Sequence, residues 1–444
     1  MKIHLTAGAA LALLFLSGSA PNHPVPPKPA AVNGPPKAEE AVSATGETDQ
    51  DEGAGKDKEK HKNETDKFAF RFFGPEHGNR FASFAGIPGN WAVYYAGAAS
   101  GGLWKTNDGG NKWKPIFEKE DAAAIGAIAV GPSRPSTVWI GTGEPWAIRD
   151  IDITGNGVYK SDDAGKTWHH MGLDKTGRIA RIIVDPADPN LVYVCAEGRL
   201  TEPQQERGVF LTRNGGKSWT RSLFVDPNTG CSGLTMDAHD HATLFAGTWQ
   251  VAMHTWAELS GGPGSGVFVT HNGGKSWTRI VGHGLPHSPV GKIDVAVAPS
   301  NPKRVYALIE APGQGAVWRS DDGGSTWLVV SWDRTLIGRA GYYIRIAVSP
   351  ADENKVYVAN SSFHVSRDGG KTWPTMQVGG DNHDIWIDPR NANHMAETND
   401  GGVAITGNGG KSWRDIVEPV GQMYHVAVDD RIPYRIYSNM QDDS

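Results

Sequence analysis

The chain has 444 residues, which is enough for two average domains or one large repeat domain. Its 43 basic and 49 acidic residues give a formal net charge of −6. No basic stripe runs through the sequence, so we expect no nucleic-acid partner. Glycine (56) and tryptophan (16) are abundant, which is typical of a β fold with many turns and aromatic packing.

The first 20 residues predict an export signal. A short basic start, "MKIH", precedes the apolar run "LTAGAALALLFLSG", which has the length of a signal-peptide core and is too short to span a bilayer. Small residues at 17–20 offer a cleavage site, and no cysteine follows them for a lipid anchor. We therefore predict an exported protein, periplasmic or extracellular, without a stable membrane span; a retained membrane anchor is the alternative.

Residues 21–67 have a different composition from the rest of the chain. The segment is rich in proline and alanine ("PNHPVPPKPAAVNGPPKAEEAV") and then highly charged ("DQDEGAGKDKEKHKNETDK"). Few of its residues could build a core, so we predict a disordered linker.

Residues 68–420 contain an internal repeat. The pattern Ser/Thr-x-Asp/Asn-x-Gly-x-x-Trp occurs seven times at intervals of 40 to 58 residues, ending at Trp113, Trp168, Trp219, Trp277, Trp327, Trp373 and Trp413. Four short β-branched or aromatic runs, separated by Gly, Pro, Asn and Asp, accompany each copy. This period and strand count predict an all-β, seven-bladed propeller of four-stranded antiparallel blades. Residues 421–444 repeat the first two strands and predict a partial eighth unit.

The third position of each octamer indicates the role of these boxes. It is occupied by Asp108, Asp163, Asn214, Asn272, Asp322, Asp368 and Asn408. The property shared by Asp and Asn is a side-chain acceptor, not a charge, so we predict a structural turn in which this side chain accepts backbone N–H groups. The glycine at the fifth position should adopt a positive φ. A catalytic or calcium-binding role is the alternative.

These octamers resemble the Asp box, or BNR repeat, of sialidases, sortilin-type receptors, photosystem assembly factors and xyloglucan-cleaving glycoside hydrolases. The segments "GAASGGLWKTNDGGNKW", "SGGPGSGVFVTHNGGKSW" and "GDNHDIWIDP" are most similar to exported bacterial proteins with sortilin-like or glycosyl-hydrolase-like repeats. The resemblance covers the chain from about residue 68 and implies a propeller fold, but such a fold supports many activities.

In a four-stranded meander the boxes and the short A–B turns share one face, which we call the box face. The B–C and D–A loops leave the opposite face, the loop face, and they are the longer ones, where functional residues concentrate. We expect carboxylates and exposed aromatic rings there to bind sugars. The candidate ligand-binding residues are Trp146, Arg149, Asp150, Trp249, His254, Trp256, Tyr343 and His383.

Asp400 is the main catalytic candidate, with Asp384, Asp381 and Glu144 as possible partners. The string "TNDGG" at 398–402 resembles a box but has Ile405 at the tryptophan position, so we place it at the B–C turn of blade 7. The resemblance implies a catalytic Asp before Gly-Gly at this turn, whereas Ala99 and Ser100 stand where the xyloglucan-cleaving family has its general base. A second Asx turn is the alternative for Asp400. The string "DNHD" at 381–384 is a weak metal signal, and we expect no metal there.

The remaining motifs are negative. No CxxC, HExxH, P-loop or GxSxG pattern occurs, so we expect no cofactor. Export would permit a Cys195–Cys231 disulfide, but we expect two buried thiols, since the sequence does not show that they are close. We predict a module that binds a polysaccharide or an extracellular protein on its loop face. A glycoside hydrolase of xyloglucanase or sialidase type and a sortilin-like sorting or assembly factor are the alternatives; the oligomeric state stays open.

Overall fold

The computed structural model describes residues 80–146, 154–416, 418, 420–421 and 423–440, which lie within one compact unit, 72–444. The predicted export signal and linker, and the candidates Arg149 and Asp150, lie outside the described residues. None of the helices in the described part of the chain is long and apolar enough to cross a membrane.

The described chain forms seven blades, each an antiparallel meander of strands A to D, as predicted. Blade 1 contains β1 Phe81–Ile87, β2 Asn90–Ala98, β3 Leu103–Thr106 and β4 Trp113–Pro115, and blade 2 contains β5 Ile125–Gly131, β6 Arg134–Thr142, β7 Val158–Ser161 and β8 His169–His170. Blade 3 contains β9 Ile179–Val184, β10 Val192–Ala196, β11 Gly208–Thr212 and β12 Thr220–Leu223. Blade 4 contains β13 Thr229–Met236, β14 Leu244–His254, β16 Gly266–Thr270 and β17 Thr278–Ile280, and the extra strand β15 Ala257–Ser260 pairs with β14 outside this meander.

Blades 5 to 7 contain β18 Ile293–Ala298, β19 Asn301–Ala311, β20 Gly315–Ser320 and β21 Leu328–Ser331; β22 Arg345–Ser349, β23 Asp352–Ala359, β24 Phe363–Ser366 and β25 Thr375–Met376; β26 Asp384–Ile387, β27 Met395–Asn399, β28 Gly402–Thr406 and β29 Arg414–Ile416. A single 3₁₀ helix, Arg334–Ile337, is present in the described ranges. The hairpin β30 Met423–Val428 and β31 Ile436–Met440 follows blade 7 and is the predicted partial eighth unit.

The A strands contact one another around the ring, and β26 contacts β1, which closes it. Residues of adjacent blades form the core clusters between them, because each strand presents alternate apolar side chains to its neighbours. A buried polar contact also links the last blade to the first: His394 Nε2 lies 2.6 Å from the Tyr94 hydroxyl, and Asp388 Oδ2 lies 3.1 Å from His394 Nδ1.

The boxes lie at the C–D turns, and their glycines have the predicted positive φ, from +75° at Gly274 to +92° at Gly324. In each box the Ser or Thr hydroxyl two residues before the Asp or Asn donates to its Oδ1. The same Oδ1 accepts the backbone N–H of the residue four positions later, as from Thr326 to Asp322 at 2.8 Å. Each box side chain thus accepts hydrogen bonds from its own turn, the geometry that a structural Asx turn requires.

Asp boxes and Asn boxes differ in one further hydrogen bond. Four residues after Asp163, Asp322 and Asp368 stands a threonine whose hydroxyl donates to the carboxylate Oδ2 at 2.6–2.7 Å. The three Asn boxes have serine instead, and the Asn Nδ2 donates to the serine hydroxyl at 2.8 Å. A hydroxyl can donate or accept, so both versions of the turn are satisfied.

The expectation of two free thiols is wrong. Cys195 on β10 and Cys231 on β13 form a buried disulfide with a Cα–Cα distance of 5.1 Å. The two residues are 36 apart in sequence, but strand B of blade 3 packs against strand A of blade 4, which brings their Cα atoms into bonding range. The disulfide therefore links two adjacent blades.

Candidate functional site

Asp400 lies at the tip of a tight turn on the loop face of blade 7. Asn399 pairs with Gly402 across β27 and β28, so Asp400 and Gly401 form a two-residue hairpin loop. The Asn399 side chain closes the turn, since its Oδ1 accepts the Gly401 N–H at 2.7 Å. This Asx contact leaves the Asp400 carboxylate directed away from its own turn, toward His383 and Arg80.

Two of those neighbours are close to the Asp400 carboxylate. His383 Nε2 lies 3.3 Å and Arg80 Nη1 lies 3.5 Å from Oδ1 of Asp400. The other ring nitrogen of His383 lies 2.8 Å from the Phe81 carbonyl oxygen, so that nitrogen is the donor. Burial raises the pKa of Asp400, but its contact with His383, together with the charge of Arg80, outweighs burial and holds the pKa below its ordinary value. Asp400 is thus an ionised acceptor at neutral pH.

A polar pocket of about 580 Å³ opens beside Asp400, between blades 6 and 7. The turn after β23, the loop before β26, the turn before β28 and the ends of β28 and β29 supply its walls. The lining residues are Ser361, Gly379, Gly380, Asp381, Asn399, Asp400, Gly401, Val403, Asp415 and Ile416. We call this space the blade 6–7 pocket. An apolar pocket of about 300 Å³ between blades 4 and 5 contains none of the predicted site residues.

The three suggested partners of Asp400 occupy different places in the structure. Asp381 lines the same pocket and lies 3.4 Å from Arg339. Glu144 is buried and contacts Arg80 Nε at 2.5 Å, and Arg80 Nη1 lies 3.5 Å from Asp400, so one guanidinium bridges the two carboxylates. The contact with Arg80 also fixes Glu144 beneath the surface.

Asp384 does not face the pocket. It lies at the start of β26, on the central channel, 3.0 Å from Arg181 and 3.4 Å from Arg345. Arg345 is also 3.5 Å from Asp294 of β18, so strands A of blades 3, 5, 6 and 7 are joined by ion pairs across the channel. These contacts hold the Asp384 side chain in the channel wall, whereas His383 contacts Asp400. The side chains of the "DNHD" string therefore do not face a common site. Among the described residues, no group of three or more His, Cys, Asp or Glu side chains could hold a metal ion.

The expected exposure of several aromatic candidates is wrong. Trp146, Trp249, Tyr343 and His383 are all 0–1% exposed. The Lys292 ammonium lies 4.8 Å from the Trp146 ring centre and 4.5 Å from that of Trp249. Cation–π contacts of this kind bury the ring faces, so these two tryptophans plug the centre of the loop face and offer no open surface for a sugar.

The plug also contains a buried ion pair. Lys292 Nζ lies 3.1 Å from Glu197 and donates to the carbonyl oxygens of Pro145 and Tyr342. Burial lowers the pKa of Lys292 and raises that of Glu197, and each shift is opposed by the partner's charge. The pair therefore fastens the B–C loops of blades 2 and 3 to blade 5.

His254 and Trp256 remain available to a ligand. Strand β14 extends beyond blade 4 and pairs with β15 to form a projecting hairpin, which we call the arm. Trp256 at its tip is 81% exposed, and its ring stacks on His254 with centres 5.0 Å apart. A flat exposed ring of this kind suits the apolar face of a sugar.

Sequence reasoning missed three ionisable residues of the loop face. Arg80 precedes β1 and joins Glu144 to Asp400. Glu258 lies on the inner face of the arm beside Gly341, and burial raises its pKa to about 7, with Lys292 lowering it. Glu397 is fully buried behind Asn399. The only sequence signal was the charge itself at an inward position of a strand, as in "HMAETN" for Glu397.

The fold and this site define a β-propeller that resembles sortilin-like and xyloglucanase-like proteins. The family model described as "Sortilin, neurotensin receptor 3" matches residues 101–224 and 156–284. Both matches fall within blades 1 to 4 and the start of the connection to blade 5, so they cover less than half of the chain.

Curated relatives are named xyloglucanases. A probable oligoxyloglucan-reducing end-specific xyloglucanase of Neosartorya fischeri is 23% identical over 350 residues, covering 67% of this chain and 40% of the relative. A Paenibacillus xyloglucanase is 24% identical over 300 residues, covering 65% of this chain and 25% of the relative. The chain thus spans less than half the length of these relatives.

Solved structures share the fold. The GH74 xyloglucanase from Xanthomonas campestris superposes with a TM-score of 0.62 at 16% identity, covering 84% of this chain and 59% of that one. YCF48 bound to D1 peptide gives a TM-score of 0.50 at 14% identity, covering 76% of this chain and 97% of that one. At these identities the likeness concerns the propeller architecture alone.

Proposed function

We propose that this protein binds a neutral polysaccharide on its loop face, with a sugar unit in the blade 6–7 pocket. The pocket supports the proposal best: it is polar, open and lined by three carboxylates and Asn399, which are acceptors for sugar hydroxyls. The ionised state favoured for Asp400 strengthens such hydrogen bonds. The names of the curated relatives favour a xyloglucan-like β-glucan as the ligand.

The arm supplies a second contact in this proposal. Trp256 and His254 form an exposed aromatic surface on the same face of the ring as the pocket. In this proposal one polysaccharide chain contacts both surfaces. Two contacts on one chain raise the overall affinity above that of either alone.

Hydrolysis is the second candidate, and the carboxylates near Asp400 favour it. Asp381 shares the pocket with Asp400, and the Arg80 guanidinium joins Glu144 to Asp400, so two further carboxylates lie near the candidate base. Such a reaction also needs a proton donor, and the lowered pKa of Asp400 suits a base better than an acid. We therefore place binding first.

A peptide ligand is the third candidate. It corresponds to the predicted sorting or assembly factor, and YCF48, which was solved with a D1 peptide, is matched over 97% of its chain. The exposed acceptors of the pocket would have to pair with peptide N–H groups or cationic side chains.

The test is titration of the purified protein with xyloglucan and cello-oligosaccharides of increasing length, together with an assay for released reducing ends. We expect binding that tightens with length, and a loss of that length dependence in Trp256→Ala. Failure of every neutral β-glucan to bind would contradict the proposal. Release of reducing ends that Asp400→Asn abolishes in a folded protein would establish the hydrolase instead.

A further inference from the structure

The geometry points to Glu397 as the positioning residue of the blade 6–7 pocket: through Asn399 it holds the Asp400 turn in the shape that binds the ligand. This inference rests on the proposed function for its ligand, but its structural part stands on contacts of the turn alone. Glu397 does not line the pocket and is not a catalytic candidate; it acts through its neighbour.

A short chain of hydrogen bonds connects Glu397 to the turn. Glu397 Oε1 accepts from Asn399 Nδ2 at 2.6 Å, and Asn399 Oδ1 accepts from the Gly401 N–H at 2.7 Å. Because an amide has its oxygen and nitrogen on opposite sides, Glu397 fixes which of them faces Gly401. Loss of this contact would free the Asn399 side chain to rotate and release the Gly401 N–H.

The opposite wall of the pocket packs directly on this pair. A Cβ on Gly379 would lie 2.3 Å from Asn399 Nδ2 and 2.9 Å from Glu397 Oε1, so only glycine fits there. The Asp400 N–H also reaches the Gly380 carbonyl oxygen at 3.4 Å. The turn is therefore held between Glu397 on one side and the loop at 379–380 on the other.

The surroundings of Glu397 disfavour its charged form. Burial raises its pKa to about 8; the hydrogen bond from Asn399 lowers it, and the charge of Asp415 on β29 raises it. Two further carboxylates, Asp381 and Asp400, line the pocket, and Asn399 lies between that pocket and Glu397. The core between blades 6 and 7 contains apolar residues such as Phe363. Oε2 has no hydrogen-bond partner among the described residues.

Two consequences follow for pH. Below about pH 8 Glu397 is a neutral acid whose Oε1 holds Asn399. Above that pH a buried carboxylate would form beside Asp415, with Oε2 lacking a hydrogen-bond partner among the described residues, and opening of the turn would hydrate that charge. The turn should therefore loosen as the pH rises through the pKa of Glu397.

The experiment compares wild type, Glu397→Gln and Glu397→Ala between pH 6 and pH 9.5. Two quantities are measured: the affinity for a xyloglucan oligosaccharide, and the hydrogen-exchange protection of the peptide containing Gly401, corrected for the intrinsic pH dependence of exchange. Asp108→Asn, in the identical pentapeptide of the first box, serves as the matched control.

We expect wild type to lose about tenfold in affinity and in protection of the turn between pH 6.5 and pH 9.5. Glu397→Gln, which resembles the neutral acid, should match wild type at pH 6.5 and stay constant to pH 9.5. Glu397→Ala should be weak at every pH, and Asp108→Asn should follow wild type.

Two results would overturn the inference: a wild-type pH profile in Glu397→Gln, or full protection of the turn in Glu397→Ala. Exchange separates this inference from the proposed function. If wild type binds no β-glucan, the proposed function fails, while the protection of the Gly401 peptide still decides whether Glu397 holds the turn.

Discussion

The pentapeptide Thr-Asn-Asp-Gly-Gly occurs twice in this chain, at 106–110 and at 398–402, and it does different things in the two places. In the first box, Asp108 accepts N–H groups of its own turn, from Asn111 at 3.1 Å and Lys112 at 2.9 Å. In the second, Asn399 accepts the turn N–H and Asp400 contacts His383 and Arg80. Identical letters thus give a self-contained turn on one face and a functional candidate on the other.

The strands that flank the pentapeptide account for the difference. The box joins strands C and D through a longer loop that ends in a tryptophan, so its Asp lies over several backbone N–H groups. The second copy joins strands B and C by two residues, because Asn399 already pairs with Gly402. A two-residue loop has few N–H groups to satisfy, and one Asn side chain is sufficient.

The electrostatics of the two turns are also opposite. In another box of the same kind, hydrogen bonds from Thr326 above all lower the pKa of Asp322 to about 2, so a box turn relies on a carboxylate ion. The pocket turn relies on Glu397, whose pKa burial raises to about 8, and so on a neutral acid. Acid should weaken the boxes, and base should weaken the pocket turn.

The largest expected effect is on the stability of Glu397→Gln. A folded pKa raised above its unfolded value gives stability that is complete below about pH 4.5 and is lost as the pH rises toward 8. Replacing the acid by an amide removes this loss, so the variant should be more stable than wild type at pH 8 by roughly 2–4 kcal/mol. Chemical denaturation at pH 5 and pH 8 measures it; equal pH slopes in both proteins would contradict the assignment.

The next effect concerns ligand affinity. Asp400→Asn should weaken oligosaccharide binding about tenfold or more, because hydrogen bonds to a charged acceptor contribute roughly 1.5–3 kcal/mol. Asp108→Asn, at the same place in the same pentapeptide, should leave affinity unchanged, since that side chain faces its own turn. Isothermal titration of both variants gives the ratio. Equal losses in the two would show that the faces are not functionally distinct.

How far the sequence predicts this molecule depends on how local each feature is. The octamers predicted the blades, the side of the ring on which the boxes lie, and the positive φ of Gly324, because all of these follow from neighbours along the chain. The turn of Asp400 was also located correctly, from the missing tryptophan at Ile405.

The features that sequence reasoning missed depend on packing between distant segments. Trp146 is buried because Lys292 and Arg345, about 150 and 200 residues later, lie against its ring. Cys195 bonds to Cys231 because adjacent blades pack together. Neither local propensity nor spacing contains this information, so the exposure of the aromatic candidates could not be read from the loops alone.

A smaller effect is expected when a box loses its acceptor. Asp322→Ala removes the partner of the Thr326 N–H and hydroxyl, and it should cost about 1–2 kcal/mol of the free energy of unfolding. Ligand affinity should be unchanged, because the box face is opposite the pocket. Denaturant titration and glycan titration of the same preparation test both halves, and an affinity loss at unchanged stability would give the boxes a direct role in binding.

The smallest effect, and the sharpest test of the box chemistry, is Asp322→Asn. Three boxes already use Asn, and there the amide donates to a serine hydroxyl, as from Asn272 to Ser276. Thr326 can accept in the same way, so the variant should lie within about 0.5 kcal/mol of wild type at pH 7. The carboxylate contribution of wild type is present above pH 3.8 and is lost as the pH falls toward 2, whereas an amide does not titrate. The stability difference between the two proteins should therefore shift in favour of Asp322→Asn on acidification from pH 5 to pH 2.5. A difference that is independent of pH would mean that the charge of Asp322 contributes nothing and that the turn needs only the shape of the acceptor.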